Sequence, residues 1–292
     1  MKLSFRTKVT IIALIPLIYL EGLTIYPFLS VIFYSFQKWD IGTPMVFGGF
    51  NNFIQLFQDQ SFYKALWLTG SYTALAVASE FALGIGIAYL LVHIKHGRSL
   101  ATSILILPLV MTPAVVGIIF RIMYDPAFGH INFYLSLLGI PPVKWLIRPT
   151  EAFISCVIVD IWQWTPFVTL VTFAGLTSIP VELVESAYID GASEFSTFKD
   201  ILLPRIKALL YIILLLRVID ALKIFDTVYT MTGGGPGSST YMLAIFNYLN
   251  LMTFYHVGYG CAIAGFYIVM MNIVVNRLQK LTGGSLYEVA AA

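Results

Sequence analysis

Apolar residues fall in long runs along this chain, and polar residues collect between them. Six runs of about twenty residues or more stand out, at 9–36, 65–92, 100–124, 152–176, 208–231 and 258–277. Each is long enough to cross a bilayer. In lipid only a helix satisfies its own backbone polar groups, so the pattern predicts six membrane helices. Pro16, Pro27, Pro108, Pro113 and Pro166 interrupt several of them. Membrane helices tolerate proline when neighbouring groups cover the freed carbonyls. One stretch between the fourth and fifth runs breaks the oily pattern. ESAYIDGASEFSTFKDILLP, 185–204, holds Glu185, Asp190, Glu194, Lys199 and Asp200. Ser178-Ile179-Pro180 can start a helix there. Val181, Val184, Ala187 and Tyr188 then share one helical face. Gly191 can stop the helix with positive φ. A second short helix is expected through Phe195, Phe198, Ile201 and Leu202, ended by Pro204. The two make an elbow, and Ala187 and Ala192 leave room on it for another surface.

Composition sharpens this. The 292 residues are 59% hydrophobic and only 11% charged, with mean hydropathy +0.85. Soluble domains carry about 25% charge, so a soluble protein is excluded. The net charge of +2 says little, but its placement says more. Ten Lys and Arg (Lys2, Arg6, Lys8, Lys95, Arg98, Lys199, Arg205, Lys207, Arg277 and Lys280) flank the runs on the side of the termini. Five (Lys38, Lys64, Lys144, Arg148 and Lys223) lie on the other. The positive-inside bias puts both termini, and the 185–204 elbow, in the cytoplasm. The first run is too long for a signal-peptide core and lacks a cleavage site, so it reads as a retained span. External loops are expected at about 37–64 and 125–151, with ordered turn chemistry. Cys156 and Cys261 fall in apolar runs and suit buried packing. The residues from Gly283 on read as a mobile tail.

Catalytic signatures are missing. The glycine-rich GGGPGSST at 233–240 has no lysine and contains a proline, so it is not a phosphate loop. There is no H-E-x-x-H, G-x-S-x-G or C-x-x-C, which argues against an enzyme. His93 and His96 read as polar residues at a membrane edge rather than as metal ligands. Charges inside membrane runs are costly and mark functional hypotheses. Asp160 sits among Trp162, Gln163, Trp164 and Phe167, and Arg217, Asp220, Lys223 and Asp226 follow at spacings of three. They can form a charge-paired seam between helices or line a solute path. The elbow can lie on lipid or dock on a soluble partner. Its acidic Glu194 favours the partner, because lipid-bound helices prefer Lys and Arg.

The residues E-S-A-Y-I-D-G-A, then Phe198, then I-L-L-P resemble the EAA loop, here 182–207, of bacterial binding-protein-dependent ABC importer permeases. Two more stretches are similar to the carbohydrate-uptake subgroup, in its maltose-type first permease subunit. They are F-D-T-V-Y-T-M-T-G-G-G-P-G-S-S-T at 225–240, and P-L-V-M-T-P-A-V-V with D-P-A-F-G-H-I-N within 108–132. The resemblance implies an all-α membrane protein of the type I importer permease fold. It would have six transmembrane helices, a cytoplasmic coupling helix and both termini in the cytoplasm. Residues 1–64 would hold the first span and external loop, 65–280 the permease core, and 281–292 a tail. It implies coupling to an ATPase dimer through Glu185, Ala187, Asp190, Gly191, Ala192, Phe198, Leu203 and Pro204. ATP and magnesium would sit on that partner, with no cofactor or metal on this chain. It further implies a second permease, an extracytoplasmic solute-binding protein, membrane lipid around the spans and no nucleic acid, in the cytoplasmic membrane of a bacterium. The substrate path would involve Asp160, Gln163, Trp164, Phe167, Asp220, Ala221 and Ile224. The expected cargo is a sugar or oligosaccharide; a polyol, glycerol phosphate or other small polar solute is the alternative, and an ion-coupled carrier a further one.

Overall fold

The computed structural model describes residues 5–94 and 96–281. Lys2, Lys95 and the tail beyond Leu281 lie outside the described residues. The helices are α1 (Phe5–Ser35), α2 (Asn51–Gln58), α3 (Gln60–His93), α4 (Arg98–Val110), α5 (Pro113–Met123), α6 (His130–Leu137), α7 (Pro149–Thr177), α8 (Val181–Ile189), α9 (Glu194–Ser196), α10 (Leu203–Arg205), α11 (Lys207–Leu222), α12 (Asp226–Thr232), α13 (Leu243–Tyr248) and α14 (Val257–Leu281). Thr197–Leu202 and Leu249–Thr253 are π-helical turns. The described residues are all-α but for one small antiparallel ladder, β1 (Gln37–Lys38) against β2 (Val46–Phe47).

Among the described residues three helices are each long and apolar enough to cross a membrane, Gln60–His93, Pro149–Thr177 and Val257–Lys280; α4 and α5, bent by 97°, make a fourth if counted as one broken span. Two of the predicted runs are therefore not single helices. The third breaks at Met111 and Thr112, both extended, with ψ of 133° and 140°. Pro113 causes this, because its ring clashes with helical geometry at the residue before it. The break is covered: Gln163 on α7 donates from Nε2 to the Met111 carbonyl at 3.1 Å. The fifth run stops after 16 helical residues at Leu222 and restarts at Asp226. The interrupting Lys223, Ile224 and Phe225 line a cavity. A cavity wall is where a membrane protein tolerates irregular backbone.

The described residues form two compact units. The first takes the chain up to Phe62 together with Asn247–Met270. The external-loop segment expected at 37–64 is held there by Asn52. Its Nδ2 donates to the carbonyls of Ser35 and Gln37, each at 2.8 Å. His256 Nδ1 lies 3.0 Å from Asp40 Oδ1, and the Tyr259 hydroxyl donates to Asp59 at 2.6 Å. The second unit takes Tyr63–Phe246 and the chain from Met271 on, and it carries the candidate site. In it α12 packs on α5 and α7. The crossing centres on Gly117, where any side chain would run into Thr230 and Thr227. Thr227 donates from Oγ1 to the Pro113 carbonyl at 3.2 Å. The 125–151 segment is also ordered: the Asn132 side chain donates from Nδ2 to the Val143 carbonyl at 3.0 Å, and its Oδ1 accepts from the Val143 N–H at 3.1 Å and from Trp145 Nε1 at 2.9 Å. The glycine-rich turn at 233–240 closes on itself, with Thr232 and Thr240 hydroxyls 2.7 Å apart. Both cysteines are buried.

Candidate functional site

Three helices bring ionisable side chains together within the second unit. Arg217 on α11 donates from Nε to Glu80 Oε2 at 2.7 Å and from Nη2 to Glu80 Oε1 at 2.8 Å. Nη2 also donates to Asp160 Oδ2 at 3.1 Å. Glu80 is on α3 and Asp160 on α7. All three are essentially dry, at 0–1% side-chain exposure. The guanidinium lies 4.6 Å from the centre of the Trp164 ring. A two-pronged Arg–carboxylate fork is the strong, directional form of ion pair, and a desolvated cation on an indole adds about 2 kcal/mol. Burying three charges costs several kcal/mol per ion, however. The cluster therefore fixes the mutual placement of three helices more than it adds stability.

One end of the cluster opens into a cavity of about 260 Å³ lined by Pro113, Asp160, Trp164, Arg217 and the 220–226 break. Asp220 and Lys223 pair across its rim at 3.3 Å, each about half exposed. Of the residues expected on a solute path, Asp160, Trp164, Asp220 and Ile224 share this wall. Gln163 is 2% exposed and bonded to Met111, and Ala221 is 1% exposed in the core. Phe167 packs edge-on to Trp164 at 6.4 Å. Arg217 does not pair with Asp220, its neighbour at a spacing of three, but with two carboxylates on other helices. Glu80 was not singled out from the sequence. The signal was present: it is the one carboxylate within the 65–92 run, and the rule that marks Asp160 marks it equally.

The elbow is built in two halves. In the first, α8 starts after Pro180 with Glu182 in its first turn, where an acid suits the helix dipole. It ends at Gly191, whose φ is +83°. The Gly191 N–H donates to the Tyr188 carbonyl at 3.1 Å and the Ala192 N–H to that of Ala187 at 2.9 Å. These paired bonds form a Schellman cap, and its left-handed residue favours glycine. In the second half Ser193 Oγ caps the Ser196 N–H at 3.2 Å. The helical path continues through the π turn and Pro204 to Arg205, past the expected stop. Proline cannot donate to the carbonyl four residues back, and the wider turn accommodates it.

The apolar face expected on α8 is only partly buried. Ala187 is buried at 5%, so its small side chain serves packing within this chain, while Val181 and Tyr188 are exposed. Hydrophobicity alone marked the face, yet the elbow keeps apolar groups outside: Ile189 is 86% and Phe195 67% exposed. Glu185, Asp190, Gly191 and Pro204 are exposed, and Ala192, Phe198 and Leu203 half-buried. The elbow is anchored to the long helices. Phe198 and Leu202 pack with Ala88, Leu176 and Ile206, and Phe198 lies 4.6 Å from Tyr89. Burying a Leu or Ile there contributes about 1.5–3 kcal/mol.

A helical membrane chain with a charge-lined cavity among its helices, and an exposed capped elbow fixed to their ends, is the transmembrane part of a solute transporter. The chain belongs to the family of binding-protein-dependent transport system inner membrane components, whose signature matches residues 80–283. It is 38% identical, over 78% of each chain, to the trehalose/maltose transport system permease protein MalF of Thermococcus litoralis. It is 34% identical to the sulfoquinovosyl glycerol transport system permease protein SmoG of Agrobacterium fabrum, over 85% of this chain and 81% of that one. Its fold is similar to a chain of a bacterial alginate ABC transporter solved with an alginate pentasaccharide-bound periplasmic protein. There the TM-score is 0.84 at 22% identity, over 95% of this chain and 94% of that one.

Proposed function

We propose that this chain is the membrane permease subunit of an ATP-driven importer that carries a sugar or short oligosaccharide into the cell. The observation that carries the reading is the elbow. Its Gly191 cap makes a rigid turn, Ile189 and Phe195 stand open for a partner, and Phe198 and Leu202 tie it to the ends of α3, α7 and α11. A partner that moves the elbow moves the helices that carry the cavity, which is a lever between two packed states. The partner is an ATPase dimer holding ATP and magnesium, so this chain needs no nucleotide site. A second permease completes the path, and an extracytoplasmic binding protein delivers cargo. In this reading the chain crosses the cytoplasmic membrane six times, with both termini and the elbow inside. The relatives' names, trehalose and maltose among them, support carbohydrate cargo, and Trp164 offers a sugar the aromatic face it needs.

The test is to purify the tagged chain in mild detergent and weigh its companions. A second permease with two ATPase copies, and ATPase activity that rises with cargo-loaded binding protein, is the expected result. A homo-oligomer without an ATPase would overturn the reading in favour of an ion-coupled carrier or a scaffold.

A further inference from the structure

We infer that the cavity on the Arg217 cluster admits uncharged polyhydroxylated cargo and rejects anions. This rests on the permease reading above and names the substrate class of the same cavity. Two cations, Arg217 and Lys223, line it, and both are already engaged by carboxylates. Three N–H groups of Arg217 go to Glu80 and Asp160, and Lys223 pairs with Asp220. Asp226 also lines the cavity and, among the described residues, has no cation within ion-pair range. Four carboxylates thus face two cations. The positive end of α12 beneath Asp226 offsets only about half a charge. A carboxylate, sulfonate or phosphate on the cargo would enter a negative field and find no free cation. One unit of excess charge at about 6 Å, at an effective dielectric of about 20, weakens an anion's binding about tenfold or more. A neutral sugar meets no such barrier. Its C–H face can lie on Trp164, and its hydroxyls can donate to Asp220 and Asp226.

The experiment is saturation-transfer NMR on the purified, assembled transporter, with trehalose and a glucuronic-acid disaccharide as paired probes. The expected result is transfer to trehalose, with the acid at least about tenfold weaker and the gap narrowed by Asp226→Asn. Equal binding of the two probes would overturn the charge selection. The site itself is checked by Trp164→Ala and by Ile224→Trp, which fills the cavity, each accepted only if its unfolding midpoint matches the parent. Both should abolish the trehalose signal. Trehalose signal unchanged in both would sink the cavity as the binding place, a failure distinct from equal binding of acid and neutral probes.

Discussion

The buried cluster and the elbow use the same residue types in opposite ways. In the cluster, Glu80, Asp160 and Arg217 hide from water and pair with one another across three helices. In the elbow, Glu185 and Asp190 stand in solvent beside exposed Ile189 and Phe195. The first arrangement is complete within the chain: every charge has its partner at home, so it sets geometry. The second leaves apolar and acidic groups open to solvent, which is why the proposed function assigns its complement to another chain. A charge in an oily protein is therefore informative only together with the location of its counter-charge.

The contrast can be broken most forcefully at Arg217. Arg217→Met leaves two buried carboxylates uncompensated and should cost about 3–5 kcal/mol. The expected result is loss of folded protein, read as membrane abundance and as the unfolding midpoint in detergent. Normal abundance would mean that the cluster is not a structural tie. Next comes Gly191→Val. A branched side chain at φ +83° costs about 1–3 kcal/mol locally, and the cap that aims the elbow is lost. The protein should still insert, with uptake abolished; uptake at normal rates and abundance would remove the elbow from coupling.

Smaller effects sharpen the comparison within the cluster. Glu80→Gln weakens a two-bond fork and Asp160→Asn a single bond. We expect Glu80→Gln to lower stability by about 1–3 kcal/mol, whereas Asp160→Asn lowers uptake more than assembly. If both variants lose assembly equally, Asp160 is purely a structural tie. The smallest effect is expected at Asp125, outside both regions. Its carboxylate accepts the N–H groups of Phe128 and Ala127, each at 2.9 Å, which lowers its pKa below the ordinary aspartate value. A lowered pKa stabilises the fold above the ordinary value, and that gain is lost as pH falls through the folded one. Melting followed from pH 6 to pH 3 should fall less steeply for Asp125→Asn than for the parent; identical slopes would refute the contribution.

Much of this was legible in the sequence because lipid enforces simple rules. The long helices α3, α7 and α14 follow directly from their apolar runs, and the stop at Gly191 from the absence of a side chain. What escaped were features that depend on a partner distant in sequence. The break at Leu222 is tolerable because its residues line a cavity, and periodicity does not announce a cavity. The choice of Glu80 over Asp220 as the partner of Arg217 is made by α3, whose contact with α11 no local spacing encodes. The shared apolar face of α8 was legible, but not that Val181 and Tyr188 on it stand exposed, because periodicity gives a face and not what covers it.

The Arg217 cluster also bears on how the protein is made. Glu80 precedes its partner by 137 residues and Asp160 by 57. At about 5–20 residues per second, Glu80 is synthesised roughly 7–27 s before Arg217 exists, and Asp160 about 3–11 s before it. Two helices carrying buried acids are thus synthesised ahead of the arginine that pairs with both. Until α11 is made, Glu80 and Asp160 lack the arginine that pairs with them in the folded chain.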